Sequence, residues 1–354
     1  MTKVAVIGTV GIPACYGGFE SLVEYLTKYS SDAIKYHVFC SSKSYSEKKS
    51  IHNGAVLSYI PLSANGIQSI PYDIFSLVKC LFIKPDVTLI LGVSGCVFLP
   101  IYRFFSSSKI VTNIDGLEWK RDKWGHWTKR FLKLSESLAI KYSDVIIADN
   151  KAIGDYVVRE YGFDNEVIAY GGDHVIPINS SDVKKSDFYL SLCRVEPENN
   201  VEMILDSFSR SDKKLKFIGN WDRSDYGSKL KGKYSSFPNI EILDPIYDLS
   251  ELYVLRKSCI GYIHGHSAGG TNPSLVEAMH FGMCIYAFDC DFNRYSTENT
   301  ALYFSSVDSL LNILVSQDDG IVTSQVGENM KKIAMSRYTW ETVSRQYEST
   351  YLGD

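Results

Sequence analysis

The stretch HGHSAGGTNPSLVEAM, residues 264–279, concentrates groups suited to holding a phosphorylated ligand. It follows an apolar run ending near Ile263, crosses the pair Gly269–Gly270, and enters a helical pattern with Asn272 as the expected N-cap and Pro273 in the first helical position. Amides around Gly270, Thr271, Ser274 and Leu275 then lack a carbonyl partner in the helix, and the positive end of its dipole favours an anion beside them. Glu277, one turn in, stands where a carboxylate can accept from a ribose hydroxyl; a lone helical glutamate is otherwise a solvated or capping group. His264 and His266, at the strand end, are either contacts to sugar hydroxyls or hydrogen-bonded loop residues.

Three further stretches carry groups of this kind. LCRVEPENNVEMILDSF, residues 192–208, runs from strand to helix with Arg194 at the strand end, where a guanidinium can pair with diphosphate oxygens or make an ordinary surface ion pair. GTVGIPACYGGFESLVEYL, residues 8–26, holds four glycines and a proline between an apolar strand and an amphipathic run, so backbone N–H groups near Gly17 and Gly18 can approach an anion with no Cβ in the way. Its spacing is not G-x-G-x-x-G, which weakens a dinucleotide reading, and a plain tight turn between strand and helix stays open. FDCDF, residues 288–292, places Asp289 and Asp291 in a D-x-D spacing, read as a polar strand end and not as a metal site.

The elements that must position these groups repeat one rhythm. Short β-branched runs near residues 4, 36, 87, 109 and 144 alternate with longer helical patterns, and the alternation restarts with runs near 188, 214, 239, 259 and 284. Between the series, AYGGDHVIPINSSDVKKSD has the Gly, Ser, Asp and Pro content of a linker. The expectation is an α/β chain with two doubly wound, Rossmann-like domains facing across a cleft, with ligands outside the carboxyl ends of the strands. The expected boundaries are 1–170, a linker at 171–187, a second domain at 188–335, and a terminal segment, 336–354, that returns to the first domain.

Composition narrows the class. At 354 residues the chain exceeds the usual size of one core, and its 45% hydrophobic and 22% charged content is that of a globular protein. A formal net charge of -4 argues against nucleic acid held by bulk charge. Eight dispersed cysteines without a C-x-x-C suit a reducing compartment. Residues 3–8 read as a strand, so no leader is expected there. The uncharged run Val87–Tyr102, broken by Gly92, Gly95 and Pro100, reads as strand, loop and helix start.

Taken together, these stretches resemble the GT-B glycosyltransferases of the retaining family 4. More closely they resemble a bacterial subgroup that includes rhamnosyltransferases and has the N-terminal domain of unknown function 1972. The subgroup's opening pattern stands at Val6–Glu20; its other elements stand as DGLEWKRDKW at 115–124, RVEPENN at 194–200, and the histidine–glycine stretch at 264–279. The resemblance covers nearly the whole chain.

It implies transfer of a sugar, rhamnose first, from a nucleotide-sugar such as dTDP-rhamnose or a UDP-sugar, with retention and without a metal cofactor. Arg194, Glu277 and Asp115 are implied as the catalytic set. The donor would be held by Gly17, Gly18, Arg194, Asn199, Asn200, Arg223, His264, His266, Gly269, Gly270, Thr271, Asn272, Ser274, Leu275 and Glu277. Tyr16, Glu20, Asp115, Glu118 and Trp119 would face the acceptor. The chain departs from the wider family where Asn199 replaces a lysine and Gly269 replaces the first glutamate of E-x7-E, which leaves Arg223 as a substitute cation.

The basic and aromatic stretch EWKRDKWGHWTKRFLKL, 118–134, suits either the surface of an anionic membrane or a solvated helix with its tryptophans turned inward. With the first, the acceptor is a lipid-linked saccharide of surface polysaccharide synthesis, and the chain works in the cytoplasm, peripheral to the inner membrane face. The rival functions are a nucleotide-sugar epimerase and a nucleotide-sugar-binding protein without turnover.

Overall fold

The computed structural model describes residues 1–15, 17–117, 119, 125–177, 183–316 and 320–353. The chain forms two units, Met1–Tyr170 with Trp340–Asp354, and Gly171–Thr339.

The first unit is built on β1 (Thr2–Ile7), β2 (Ile34–Ser41), β3 (Ile51–His52), β4 (Ala55–Ile60), β5 (Val87–Leu91), β6 (Lys109–Asn113), β7 (Val145–Ala148) and β8 (Glu166–Val167). They lie in the order β3-β4-β2-β1-β5-β6-β7-β8, parallel except for the β3–β4 pair. Val4–Ile7 and Leu89–Leu91 are buried without the alternation of a one-sided sheet, because helices cover both faces. Val87–Tyr102 is divided between β5, a loop and the helix Leu99–Phe105.

The last helix, Trp340–Leu352, completes this core. The Trp340 ring stacks on Tyr25 at 4.6 Å, Asn113 donates to the Tyr347 hydroxyl at 2.7 Å, and Trp340, Val343, Tyr347 and Tyr351 are buried with β1, β2 and β5. The chain changes units at 339–340 and not at 336, because Tyr338 is buried in the second unit. There its hydroxyl donates to the Ser296 carbonyl at 2.9 Å, while its own carbonyl accepts from the Gly172 amide at 2.7 Å.

The second unit is a wholly parallel sheet of β9 (Tyr189–Leu192), β10 (Leu215–Ile218), β11 (Ile240–Leu243), β12 (Gly261–His264), β13 (Cys284–Phe288) and β14 (Leu302–Phe304), in the order β11-β10-β9-β12-β13-β14. Residues 171–187, expected as a linker, pack within this unit at both described ends. A Cβ at Gly172 would lie 2.8 Å from the Glu277 amide nitrogen, and the Ser186 amide donates to the Ser258 carbonyl at 2.8 Å. Strand order reverses between β9 and β12, so their carboxyl ends open the crevice where open α/β sheets place ligands. In the first unit the same reversal falls between β1 and β5. All eight cysteines are free thiols.

Candidate functional site

Both second-unit stretches singled out in the sequence leave the sheet at this reversal: Arg194–Asn200 after β9 and Gly265–Thr271 after β12. Hydrogen bonds lock the two loops together. Asn199, buried, donates from Nδ2 to the Arg194 carbonyl at 2.8 Å, and its Oδ1 lies 2.7 Å from His266 Nδ1. With the amide so oriented, Oδ1 accepts and His266 donates from Nδ1. Asn200, at φ +50°, donates to the Gly265 carbonyl at 2.8 Å, and Ser267 donates through N and Oγ to the Glu198 carbonyl. Gly265 is required by contact: a Cβ there would lie 2.2 Å from the Asn199 carbonyl oxygen. Both ends of the Asn199 amide are thus used within the unit, one closing its own loop and the other tying it to the His266 loop.

The helix Pro273–Met279 starts as its local sequence dictates. Asn272 Oδ1 accepts from the Ser274 amide at 3.0 Å and from Ser274 Oγ at 2.8 Å, and Pro273 follows the cap. The Tyr262 hydroxyl, from β12, lies 3.1 Å from Ser274 Oγ and donates to the Leu192 carbonyl of β9 at 3.0 Å, fastening the helix start to both strands. Leu275 and Thr271 are buried, while Gly269 and Gly270 are partly open, Gly269 at φ +121° with its Cβ position 3.0 Å from His266 Nε2.

Glu277 is gripped by two side chains that sequence reasoning missed. Arg256, 2% exposed on the helix Leu249–Ser258, donates from Nη2 to Glu277 Oε2, and His174 Nε2 lies 3.5 Å from Oε1. The Glu277 side chain keeps 16% exposure, so the carboxylate is oriented and still reachable. Burial pushes His174 below the ordinary imidazole range, against the pull of Glu277 in the other direction. No periodicity marks Arg256, which occupies the buried face of an amphipathic helix where sequence predicts an apolar side chain.

His264 is buried at the end of β12, and its Nε2 has no hydrogen-bond partner among the described residues. Burial, then the neighbouring His266, push it well below the usual imidazole range, so it is neutral. Arg194 is 40% exposed, with Glu196 Oε2 at 3.9 Å as a loose neighbour. Arg223 is exposed after β10, on a loop joined to Arg194's loop where the Val195 amide donates to Asn220 Oδ1 at 2.9 Å. Asp289 makes a bidentate pair with Arg294, at 2.6 and 2.8 Å, which holds its carboxyl below the usual range.

In the first unit the predicted residues divide. Tyr16 and Glu118 lie outside the described residues. Gly17, at φ +115°, precedes the helix Gly18–Lys28, and Gly18 packs near the Tyr170 ring. Glu20, expected toward the acceptor, turns into its own loop: Oε1 accepts from the Val10 amide at 2.7 Å and from Thr9 Oγ1 at 2.9 Å. Burial raises its carboxyl while these hydrogen bonds pull it down. Asp115, partly exposed at φ +58°, follows β6 with its amide donating to Asn113 Oδ1 at 3.0 Å. Trp119 lies against Lys133, whose ammonium sits 4.7, 4.9 and 4.8 Å from the ring centres of Trp119, Tyr156 and Tyr161 and 2.9 Å from Glu160. Lys133 is thus engaged inside the fold.

Comparison with known proteins agrees with this architecture. A family model described as a domain of unknown function, DUF1972, matches residues 1–173. No curated protein matches the chain. Among solved structures, sucrose-phosphate synthase from Thermosynechococcus elongatus is similar at a TM-score of 0.81 and 14% identity, over 100% of this chain and 99% of that one. HepE from Anabaena in complex with UDP is similar at 0.78 and 16% identity over 100% of both chains, and has also been solved with UDP-glucose. A glycosyltransferase from Rickettsia africae is similar at 0.74 and 12% identity, over 99% of this chain and 98% of that one. The chain has the GT-B fold.

Proposed function

We propose that the chain is a glycosyltransferase whose second unit binds a nucleotide-sugar at the reversal between β9 and β12. The observation that carries this reading is the join of the Arg194 and His266 loops beside the capped helix of Glu277, with Arg256 orienting that carboxylate. Glu277 takes the ribose hydroxyls. Arg194, Arg223 and the amides at 270–275 meet the diphosphate, where preorganised donors stabilise the leaving group most effectively. His264 is neutral and retains hydrogen-bonding capacity for a sugar hydroxyl. HepE's complexes with UDP and UDP-glucose support the same ligand class for this fold.

The finer reading rests on resemblance: a family 4 enzyme that transfers rhamnose with retention, from dTDP-rhamnose or a UDP-sugar, to a lipid-linked saccharide at the cytoplasmic membrane face during surface polysaccharide synthesis. Asp115 and Trp119 then belong to the acceptor side, and no metal is required. A donor screen tests this directly. Purified protein is incubated with UDP-, GDP- and dTDP-sugars and a lipid-linked monosaccharide, and the product is followed by mass with and without chelator. A gain of one hexose or deoxyhexose, insensitive to chelator, is expected. A free altered sugar without acceptor would instead indicate an epimerase. The use of Asn199 as a tie in place of a lysine favours a second reading, a nucleotide-sugar-binding protein, for which the screen returns binding and no transfer.

A further inference from the structure

The helices Ser69–Ile83 and Leu99–Phe105 lie side by side on one face of the first sheet, with the helix His126–Tyr142 packed beside the second of them. Their inner sides are ordinary core: Tyr72, Leu77, Cys80, Leu99, Tyr102 and Ala139 are fully buried. Their outer sides are not those of solvated helices. Phe75 and Phe82 are 56% and 82% exposed at i and i+7 of one helix, with Lys79 between them. Ile101, Phe104 and Phe105 on the next are 51%, 82% and 67% exposed. Large apolar side chains exposed singly are normal; a cluster on adjoining helices marks an interaction surface.

Charge selects the partner. The three helices carry Lys79, Arg103, Lys129, Arg130, Lys133 and Lys141 but only two carboxylates, Asp73 and Glu136, and both are buried at 2% exposure. No carboxylate of these helices reaches solvent, whereas Lys79, Arg130 and Lys141 do; Arg103 is neutralised by a bidentate pair, at 2.8 and 2.6 Å, with exposed Asp144, which follows the third helix. Exposed phenylalanines on helices whose unpaired exposed charge is cationic fit the boundary between acyl chains and acidic headgroups. Gly66–Ile83 is long and apolar enough to cross a bilayer, yet Tyr72, Asp73, Ser76, Leu77 and Cys80 bury one side of it in the unit, so only its outer side is available to lipid.

We propose that this face, centred on Phe75, Phe82, Phe104 and Phe105, is a docking surface for an anionic membrane. It is separate from the stretch 118–134, of which Lys120, Arg121, Lys123 and Trp124 lie outside the described residues, Lys133 is engaged with three rings and Glu160, and Trp127 and Arg130 are exposed. The proposal deepens the lipid-linked acceptor reading but is tested without donor or acceptor, so either can fail alone.

The test is co-sedimentation of the full chain with vesicles of phosphatidylcholine alone and of phosphatidylcholine with phosphatidylglycerol. Wild type is expected to bind the acidic vesicles and to be released partly by salt. Phe82→Ser with Phe104→Ser and Phe105→Ser lowers the partition coefficient on the order of tenfold or more. Lys79→Gln lowers it roughly fivefold, and only for acidic vesicles. Unchanged melting temperature and far-UV circular dichroism in the triple variant show that the unit is intact. Equal binding by wild type and triple variant overturns the proposal, as does wild type left in the supernatant. A dimer in sedimentation velocity that the triple variant dissolves, without any vesicle binding, assigns the face to a second copy of the chain instead.

Discussion

In the first unit β1 ends at Ile7 where strand order reverses, a glycine-rich loop follows from Gly8, and the helix after it carries Glu20. In the second unit β12 ends at the corresponding reversal, a glycine-rich loop follows, and the helix after it carries Glu277. The resemblance stops at the carboxylates. Glu20 is 7% exposed and held by the Val10 amide and the Thr9 hydroxyl of its own loop. Glu277 is held from side chains elsewhere in its unit, Arg256 and His174, and keeps an accessible edge. A glycine loop with an acid in the next helix is therefore not one device. Where the acid's hydrogen bonds go decides whether it closes a loop or presents a group to a ligand.

The strongest way to break this contrast is to remove the grip on Glu277. Arg256→Leu strips a buried partner from a charge, a change that costs about 3–5 kcal/mol when such pairs are broken. A large drop in the urea midpoint is expected, with donor KM raised and acceptor KM unaltered. Arg256→Lys, which keeps the charge but not the fork, recovers stability more than donor KM. If donor KM stays at the wild-type value in Arg256→Leu, Arg256 does not position Glu277 for the donor.

Arg194→Ala sharpens the contrast from the other side. Its guanidinium is exposed and loosely paired, so stability changes by about 0.5 kcal/mol or less, whereas turnover falls on the order of a hundredfold. Full turnover at saturating donor would remove Arg194 from the account. Glu20→Gln has a smaller effect and the opposite character. Weakening a charge-assisted acceptor costs about 1–2 kcal/mol of stability, read in urea, and leaves nucleotide affinity where it was.

A further effect is one of pH. Asp73, packed against Gly95, is pushed up to about 7 by burial, with Ser94 and the Gly95 amide opposing. A carboxyl raised on folding binds its proton more tightly in the native state, so its contribution to stability is present at low pH and is lost as pH rises from about 4 through 7. Asp73→Asn should flatten that part of the melting profile. An unchanged slope would show that Asp73 does not titrate in the folded chain over this range.

Much of the architecture was legible because buried parallel strands are continuous β-branched runs, as in VAVIG and VTLIL. β4 is less conspicuous, since its residues alternate in burial, and β3, β8 and β14 are two or three residues long. At the site, the Asn272 cap and Pro273 were readable because capping is local. Arg256 was not, because it meets Glu277 across 21 residues through a helix whose pattern calls for an apolar side chain there. Asn199 shows the same limit: its position suggested a ligand contact, and only the fold reveals that both ends of its amide are occupied within it.

The most direct measurement is calorimetric titration of UDP, GDP and dTDP into wild type, Glu277→Ala and Glu20→Gln. The account predicts that one of these nucleotides binds wild type and Glu20→Gln alike and that binding weakens on the order of tenfold or more in Glu277→Ala. Equal weakening by both substitutions, or no binding of any nucleoside diphosphate to a folded wild type, would contradict it.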